Sequence, residues 1–288
     1  MEDWESTKRS IIEYYDLAWS NFSRHIAQTN LGLHYGYYDD EHRNHHDAML
    51  NMNNQVAIEL RIKKDSSCSI LDAGCGVGGS IIHLARDYPK ITFTGITISD
   101  DQIELANDFS KEKGVKNRVT FLNRDFMSTD FPKATFDAVY SLESMCYAYD
   151  KHDFVKEMKR ILKPGGRIAI LDGFRNGKYP IDPSLEEKYD HWCKGWRLEH
   201  RLDTQINFKQ YLEAEGFQKI SYRDITSNVL PSSKRMYRLA IKSLILVNLI
   251  RVFSRHDYAY FSRAAEYQKK LLRTRYLVYG AFSAQKPT

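Results

Sequence analysis

Cysteine is scarce in this chain of 288 residues, and long apolar runs are missing. The four thiols form neither a C-x-x-C pair nor a cluster with zinc-ligand spacing, which excludes a disulfide framework and favours a reducing compartment. No apolar run reaches the ~18 residues of a membrane-spanning helix, and the acidic start Met1-Glu2-Asp3 is unlike a secretory signal. We therefore expect a cytoplasmic protein. We expect no metal, because His45-His46 has no obvious third ligand.

Acidic residues are almost missing from one stretch. Between Lys234 and Arg275 there are 11 Lys and Arg but only two acids, whereas the whole chain carries a net charge of +5. Such a segment suits an anionic partner, which could be a phosphate, a phospholipid surface or a nucleic acid. A solvated basic helix face is the alternative, and peripheral membrane contact through 234–275 is left open.

A glycine-rich turn is what the sequence does have. Glycines at 74, 76, 78 and 79 follow an apolar run that ends at Asp72, and a helical pattern begins at once. A strand, a tight turn and a helix start in this order hold nucleotide-like ligands in α/β sheets. We predict that this turn holds S-adenosylmethionine. The same glycines also satisfy the dinucleotide fingerprint, so a nicotinamide-dependent oxidoreductase, or a turn that binds nothing, remains an alternative.

Strand and helix patterns alternate after the turn, as in a parallel doubly wound sheet. The sequence thus predicts an α/β fold with a Rossmann-like core. The predicted strands are 68–73, 91–97, 119–122, 136–141, 167–172, 218–224 and 276–282. The predicted domains are a helical N-terminal cap or lid (1–65), the core (66–225), a basic helical cap insertion (226–275) and a final core strand with a tail (276–288).

The ends of the second and third strands distinguish the two ligand classes. Dinucleotide sites usually have an acid at the end of the second strand, but here that strand ends on Thr97. Gln102, in the next helix, can both donate to and accept from a ribose diol. Asp125 and Phe126 follow the third strand and suit an adenine amino group and ring. The alternatives are an exposed glutamine and an aspartate that only caps a turn.

Five segments together resemble the class I S-adenosylmethionine methyltransferases. They are Leu71-Asp72-x-Gly74-Cys75-Gly76-x-Gly78-Gly79, Gly95-Ile96-Thr97-Ile98-Ser99-x-x-Gln102, Asp125-Phe126, Phe136-Asp137-x-Val139-x-Ser141-x-Glu143-Ser144 and Leu162-Lys163-Pro164-Gly165-Gly166. Within that superfamily they resemble the group that contains γ-tocopherol, sterol C24 and prenyl-diphosphate methyltransferases.

The resemblance implies a seven-stranded sheet whose last strand runs antiparallel. It also implies a set of residues that bind the cofactor: Asp72, Gly74, Gly76, Gly78, Thr97, Ile98, Gln102, Asp125, Phe126 and Ser141. In this group a Thr-x-x-x-x-Gln pattern stands in place of the acidic ribose ligand.

Glu143 is the candidate catalytic acid, since it follows the fourth strand and should lie beside the transferable methyl. An acid here serves as a base or stabilises a carbocation in the enzymes that it resembles; the alternative is a carboxylate that only pairs with the cap. His34 is a second candidate base, in an aromatic loop that could also be a surface turn. Candidate substrate residues are Tyr35, Tyr37, Tyr147, Trp192 and Trp196.

The sequence therefore predicts a methyltransferase that acts on a small lipophilic acceptor, such as an isoprenoid, prenylated or aromatic natural product, at carbon, nitrogen or oxygen. Its alternatives are a methyltransferase that acts on RNA or on a phospholipid headgroup through the basic cap, and an NAD(P)-dependent oxidoreductase. Nucleic acid is the less favoured partner.

Overall fold

The computed structural model describes residues 2–22, 30–250 and 255–288. Its strands are β1 (Ser69–Ala73), β2 (Thr92–Thr97), β3 (Val119–Asn123), β4 (Phe136–Leu142), β5 (Leu162–Arg175), β6 (Gln218–Asp224) and β7 (Leu277–Gln285). Its helices are α1 (Glu2–Phe22), α2 (His45–Leu60), α3 (Gly79–Asp87), α4 (Asp100–Glu112), α5 (Lys151–Ile161), α6 (Pro183–Gly195), α7 (Gln205–Ala214), α8 (Thr226–Ile250) and α9 (Arg255–Arg273).

The strands form one seven-stranded sheet in the order β3-β2-β1-β4-β5-β7-β6. Strands β1 to β5 pair in parallel, whereas β7 lies between β5 and β6 and is antiparallel to both. The predicted fold is thereby confirmed. The strand order reverses between β1 and β4, and ligands of open α/β sheets bind at the carboxyl ends of the strands where this happens.

The local sequence explains why the elements begin where they do. In β1 and β4 almost every residue is buried, as expected for central parallel strands that are covered on both faces. Helix α4 begins after Ser99, whose hydroxyl accepts from the Gln102 N–H, and α5 begins after Asp150, whose carboxylate accepts from two backbone N–H groups. Such caps satisfy the free donors of a first turn.

Strand β5 begins earlier than predicted. Leu162 already pairs with Phe136, and the next paired residue is Arg167, opposite Ala138. Residues 163–166, which precede the predicted strand 167–172, are therefore an irregularity inside β5, with Gly165 at φ 75°. Pro164, Gly165 and Gly166 mark the irregularity in the sequence. They could not show that the chain pairs with β4 on both sides of it.

Helix α6 lies between the predicted strands 167–172 and 218–224, at positions for which the sequence predicted no helix. Asp182 caps it and Pro183 occupies its first turn, a favourable position for proline. Helix α6 packs on α9, and its buried residues include Leu185, Tyr189 and Trp192. Charged residues lie between these apolar positions, so the helical spacing was not recognised in the sequence.

The predicted caps correspond to α1 and α2 at one end and to α8 and α9 at the other, while the division into domains stays a prediction. Residues 23–29 and 251–254, which fall in the two predicted caps, lie outside the described residues, as do the side chains of 243–261. Within the ranges that the structure describes, no helix is long and apolar enough to cross a membrane.

Candidate active site

A cavity lies at the carboxyl ends of β1, β2 and β4, beneath α1. Most of its wall is apolar or aromatic. Its lining includes four groups: residues of α1 (Trp4, Ile11, Ile12, Tyr15, Trp19), the 31–34 segment, the glycine turn, and the residues after β2, β3 and β4 (Thr97, Ile98, Ser99, Gln102, Arg124, Asp125, Phe126, Leu142, Glu143, Ser144, Tyr147). The topology thus brings most of the predicted cofactor residues to one place.

The glycine turn allows a close approach of backbone. Gly74 has φ 105°, and a Cβ there would lie 2.3 Å from the Ser144 Cβ, whereas a Cβ on Gly76 would meet no described atom within 4 Å. The N–H groups of Gly74 and Cys75 both donate to the Ile96 carbonyl. They are therefore engaged within the fold, so the predicted backbone contacts to a ligand rest on Gly76 and its neighbours.

Gly78 and Ser141 do not line the cavity but shape its wall. Gly78 has φ 82° and precedes α3. The Ser141 hydroxyl accepts from the Met145 N–H and lies 2.6 Å from the Ser144 hydroxyl, which donates to the Ala73 carbonyl. These bonds tie the end of β4 to the end of β1.

Asp72 is 1% exposed at the end of β1. Its Oδ2 accepts from the Ser80 hydroxyl at 2.8 Å, and that hydroxyl is also 2.9 Å from the Tyr140 hydroxyl. Its Oδ1 is buried and has no hydrogen-bond partner among the described residues. Burial raises the pKa of Asp72 to about 7, although the bonds from Tyr140 and Ser80 oppose that rise. A cationic donor at Oδ1 would satisfy this oxygen, which fits the ammonium of a bound amino acid moiety.

The predicted ribose residues lie together between β2 and α4. The Thr97 hydroxyl donates to the Gln102 Oε1 at 2.6 Å, and the Gln102 N–H donates to the Ser99 hydroxyl. In this orientation the Gln102 amide turns its oxygen towards Thr97. The Gln102 amide nitrogen is then the end that can donate to a ribose hydroxyl.

Asp125 is already engaged by α1. Its Oδ2 accepts from the Trp4 indole N–H at 2.9 Å and lies 3.4 Å from the Lys8 ammonium. Its Oδ1 accepts from the Met127 N–H. Phe126 packs edge-on against Phe154 at 5.4 Å. An adenine amino group at Asp125 would therefore meet the Trp4 indole. The Trp4–Asp125 hydrogen bond joins residues 121 positions apart, and no local sequence pattern indicates it.

Glu143 combines a strained backbone with a buried carboxyl. Its φ is 52°, an uncommon value for a residue with a side chain. Its N–H donates to the Leu171 carbonyl, and its Oε1 accepts from the Tyr35 N–H at 2.7 Å and the Tyr279 hydroxyl at 2.8 Å. Burial raises the pKa of Glu143 to about 8, while the two bonds act in the opposite direction. Glu143 lines the cavity together with residues of the glycine turn.

His34 also lines the cavity. Its Nδ1 is 2.8 Å from the Tyr35 carbonyl oxygen, which can only accept, so we assign the ring proton to Nδ1. Burial lowers the pKa of His34 to about 4, so the ring is neutral at pH 7. Its role as a second base stays a prediction.

Of the five predicted substrate residues, Tyr35, Tyr147, Trp192 and Trp196 pack in one hydrophobic cluster, but only Tyr147 of the five lines the cavity within the described ranges. Tyr147 lines the cavity, accepts from the Tyr15 hydroxyl and donates to the Trp196 carbonyl. Tyr35 packs on Tyr279 with ring centroids 5.8 Å apart. Tyr37, Trp192 and Trp196 do not line the cavity within the described ranges, and the roles of all five stay predictions.

Comparison with known proteins gives a consistent family assignment. A family model described as a methyltransferase domain matches residues 70–166. A 27-O-demethylrifamycin SV methyltransferase of Amycolatopsis mediterranei is 36% identical over 203 residues, which cover 69% of this chain and 71% of the relative. The chloroplastic tocopherol O-methyltransferase of Arabidopsis thaliana is 30% identical, covering 86% of this chain and 74% of that protein.

The fold has solved counterparts as well. The crystal structure of the [4+2]-cyclase SpnF superposes with a TM-score of 0.80 at 23% identity, covering 98% of this chain and 96% of that one. At this identity the likeness concerns the fold alone. In the part of the chain that the structure describes, no group of three His, Cys, Asp or Glu side chains could hold a metal ion.

Asp72 predicts pH-dependent ligand affinity. Because the pKa of Asp72 is raised to about 7, its carboxyl is largely protonated below that pH, and an ammonium ligand must displace the proton. We expect the affinity for S-adenosylhomocysteine, measured by calorimetry, to fall by up to about tenfold from pH 7.5 to 6. The Asp72→Asn variant should bind S-adenosylhomocysteine weakly and with an affinity that does not change with pH. If the affinity of the native protein does not change with pH, the assignment of Asp72 to the ammonium is wrong.

We expect the Trp4 indole to compete with the adenine amino group for Asp125. Trp4→Phe keeps a ring but removes the N–H that occupies Asp125, so S-adenosylhomocysteine should bind several-fold tighter, up to about tenfold. Thr7→Val is the matched control, because Thr7 ties α1 to Glu199 without touching Asp125. Unchanged or weaker binding of the Trp4 variant would show that the indole and adenine share the carboxylate.

Proposed function

The chain belongs to the class I S-adenosylmethionine-dependent methyltransferases, and from that premise we propose that it transfers a methyl group to a hydroxyl of a small lipophilic acceptor. Glu143 is the proposed proton acceptor. The observation that carries the proposal is the position of Glu143: it lines an aromatic cavity beside the glycine turn, in the same enclosure as Asp72 and Gln102.

The acceptor class is supported by two independent features. Among the relatives that match across about 70% or more of their length, the rifamycin, tocopherol and cnsE methyltransferases have names that specify an oxygen, whereas ajmaline N-methyltransferase is named for nitrogen. The cavity wall is built from Trp, Tyr, Ile and Leu side chains, which favour an apolar molecule with few polar groups.

Holding and orienting the reactants is the main task of the proposed site. S-adenosylmethionine supplies a methyl on a sulfonium, whose positive charge makes the sulfur a good leaving group. Asp72 would hold the ammonium, Thr97 and Gln102 the ribose, and Asp125 with Phe126 the adenine. Helix α1 covers the cavity through the Tyr15–Tyr147 and Ser99–Asp16 hydrogen bonds, which helps to exclude water.

Glu143 suits proton transfer better than His34 does. A base works best when its pKa lies near the operating pH. The pKa of Glu143 is raised to about 8 and that of His34 is lowered to about 4, so the carboxylate is the stronger base of the two. A sulfonium beside Glu143 would favour its ionised form. The acceptor proton then passes to Glu143 and on to solvent as the methyl joins the oxygen.

The test is turnover with lipophilic hydroxyl compounds. We expect release of S-adenosylhomocysteine with tocopherols or phenolic macrocycles, and little with small polar catechols that cannot fill the cavity. Glu143→Gln keeps the shape and one hydrogen-bonding oxygen but cannot take a proton, so turnover should fall by about 10²–10⁴-fold.

Cofactor affinity distinguishes a role of Glu143 as a base from a role in binding the cofactor. S-adenosylhomocysteine should bind Glu143→Gln within a few-fold of the native protein, because the proposed cofactor contacts are left intact. If this variant loses cofactor binding, Glu143 belongs to the cofactor site instead. If no lipophilic hydroxyl compound is methylated by the native protein, the proposed acceptor class is wrong.

A further inference from the structure

Tyr279 lies behind the proposed base, on the side away from the cavity. It belongs to β7, is 2% exposed, and does not line the cavity within the described part of the chain. Its hydroxyl oxygen is 2.8 Å from the Glu143 Oε1 and 3.2 Å from the Leu171 carbonyl oxygen. The same Leu171 carbonyl accepts from the Glu143 N–H at 3.0 Å.

The tyrosine hydroxyl has one hydrogen and two acceptors within reach. When Glu143 is ionised, the hydroxyl can donate to the carboxylate. When Glu143 takes a proton on its other oxygen, Oε1 is the carbonyl oxygen of the carboxylic acid and can still accept from the tyrosine hydroxyl. Both states therefore keep this hydrogen bond while the heavy atoms stay in place.

We infer that Tyr279 is a positioning residue that serves both protonation states of Glu143, holding its Oε1 so that the other oxygen faces the acceptor before and after proton transfer. The inference rests on the proposed function of Glu143. It assigns a functional role to the last strand of the sheet.

Few groups around Glu143 can stabilise its charged form, so the Tyr279 hydroxyl has a large effect on it. Five titratable groups face the carboxyl: Tyr15 from α1, Tyr35 from the loop before α2, Cys146 after β4, Asp172 from β5 and Tyr279 from β7. None of them is a cation. The Tyr35 N–H and the Tyr279 hydroxyl are therefore the groups seen to favour the charged carboxylate, against burial and the nearby Asp172.

The step is balanced without a further reactant. The acceptor O–H bond breaks and its proton joins Glu143, while the new C–O bond takes the methyl and the C–S electron pair stays on sulfur as the neutral thioether. The proton lands on the Glu143 oxygen that faces the acceptor, so Tyr279 keeps donating to Oε1 during the transfer and when Glu143 releases the proton to solvent.

Tyr279→Phe tests the inference. It keeps the ring against Tyr35 but removes the hydroxyl, so the ionised carboxylate loses one of its two donors. We expect the pKa of Glu143, followed by carbon-13 NMR of labelled glutamate carboxyls, to rise by about one unit. The carboxyl signal is assigned by its absence in Glu143→Gln. Because bound S-adenosylmethionine favours the ionised carboxyl, the acid limb of the pH–turnover profile should move up by about one pH unit, so turnover should fall most at low pH and recover as the pH is raised.

Tyr222→Phe is the matched control. Tyr222 lies on the neighbouring strand β6, and its buried hydroxyl has no hydrogen-bond partner among the described residues. Its removal should leave the Glu143 titration and turnover unchanged. S-adenosylhomocysteine affinity and thermal unfolding of both variants show whether the site and the fold are intact.

Three results have distinct meanings. A Glu143 titration that is the same in Tyr279→Phe as in the native protein would overturn the inference, and so would a loss of turnover that is equal at every pH. If Glu143→Gln is inactive in either case, the proposed base still stands. If Glu143→Gln turns over like the native protein, the proposed function of Glu143 fails, whatever the NMR titration shows.

Discussion

Burial of carboxyl groups without cations is the constraint on which the site depends. Asp72 and Glu143 are held at the ends of β1 and β4, where burial raises their pKa to about 7 and about 8. Asp172 lies close by, with its pKa raised to about 6 although Lys151 opposes the rise. Isolated buried charges are costly, and for this reason we propose that Asp72 and Glu143 face a positive ligand. An adenosyl sulfonium with its own ammonium brings two positive charges to such an enclosure.

The close approach of two strand ends makes this enclosure. Gly74 leaves room for Ser144, and the hydroxyls of Ser141 and Ser144 bind the end of β4 to Ala73. Glu143 is thereby fixed one residue before Ser144, in a strained backbone conformation that β5 and β7 support through Leu171 and Tyr279. Strain of this kind persists where neighbouring structure enforces it and is common at functional sites.

The sequence predicted the regular core far better than the contacts that cross it. Strands β1 to β4 and the glycine turn could be located because their patterns are local. The start of β5 was missed, because pairing on both sides of an irregularity is a non-local property, and α6 was missed because charges interrupt its apolar face. The Trp4–Asp125 and Tyr279–Glu143 contacts join residues more than 100 positions apart, and no spacing in one sequence indicates them.

The most direct test of the account compares proton release on binding of S-adenosylmethionine and S-adenosylhomocysteine at pH 7, by calorimetry in buffers with different ionisation heats. The two ligands share every proposed contact and differ in the sulfonium charge. Because Glu143 is mostly protonated in the free protein, the sulfonium should release about one more proton than the thioether does, and Glu143→Gln should remove the difference. Equal proton release in the native protein would contradict a sulfonium methyl placed beside Glu143.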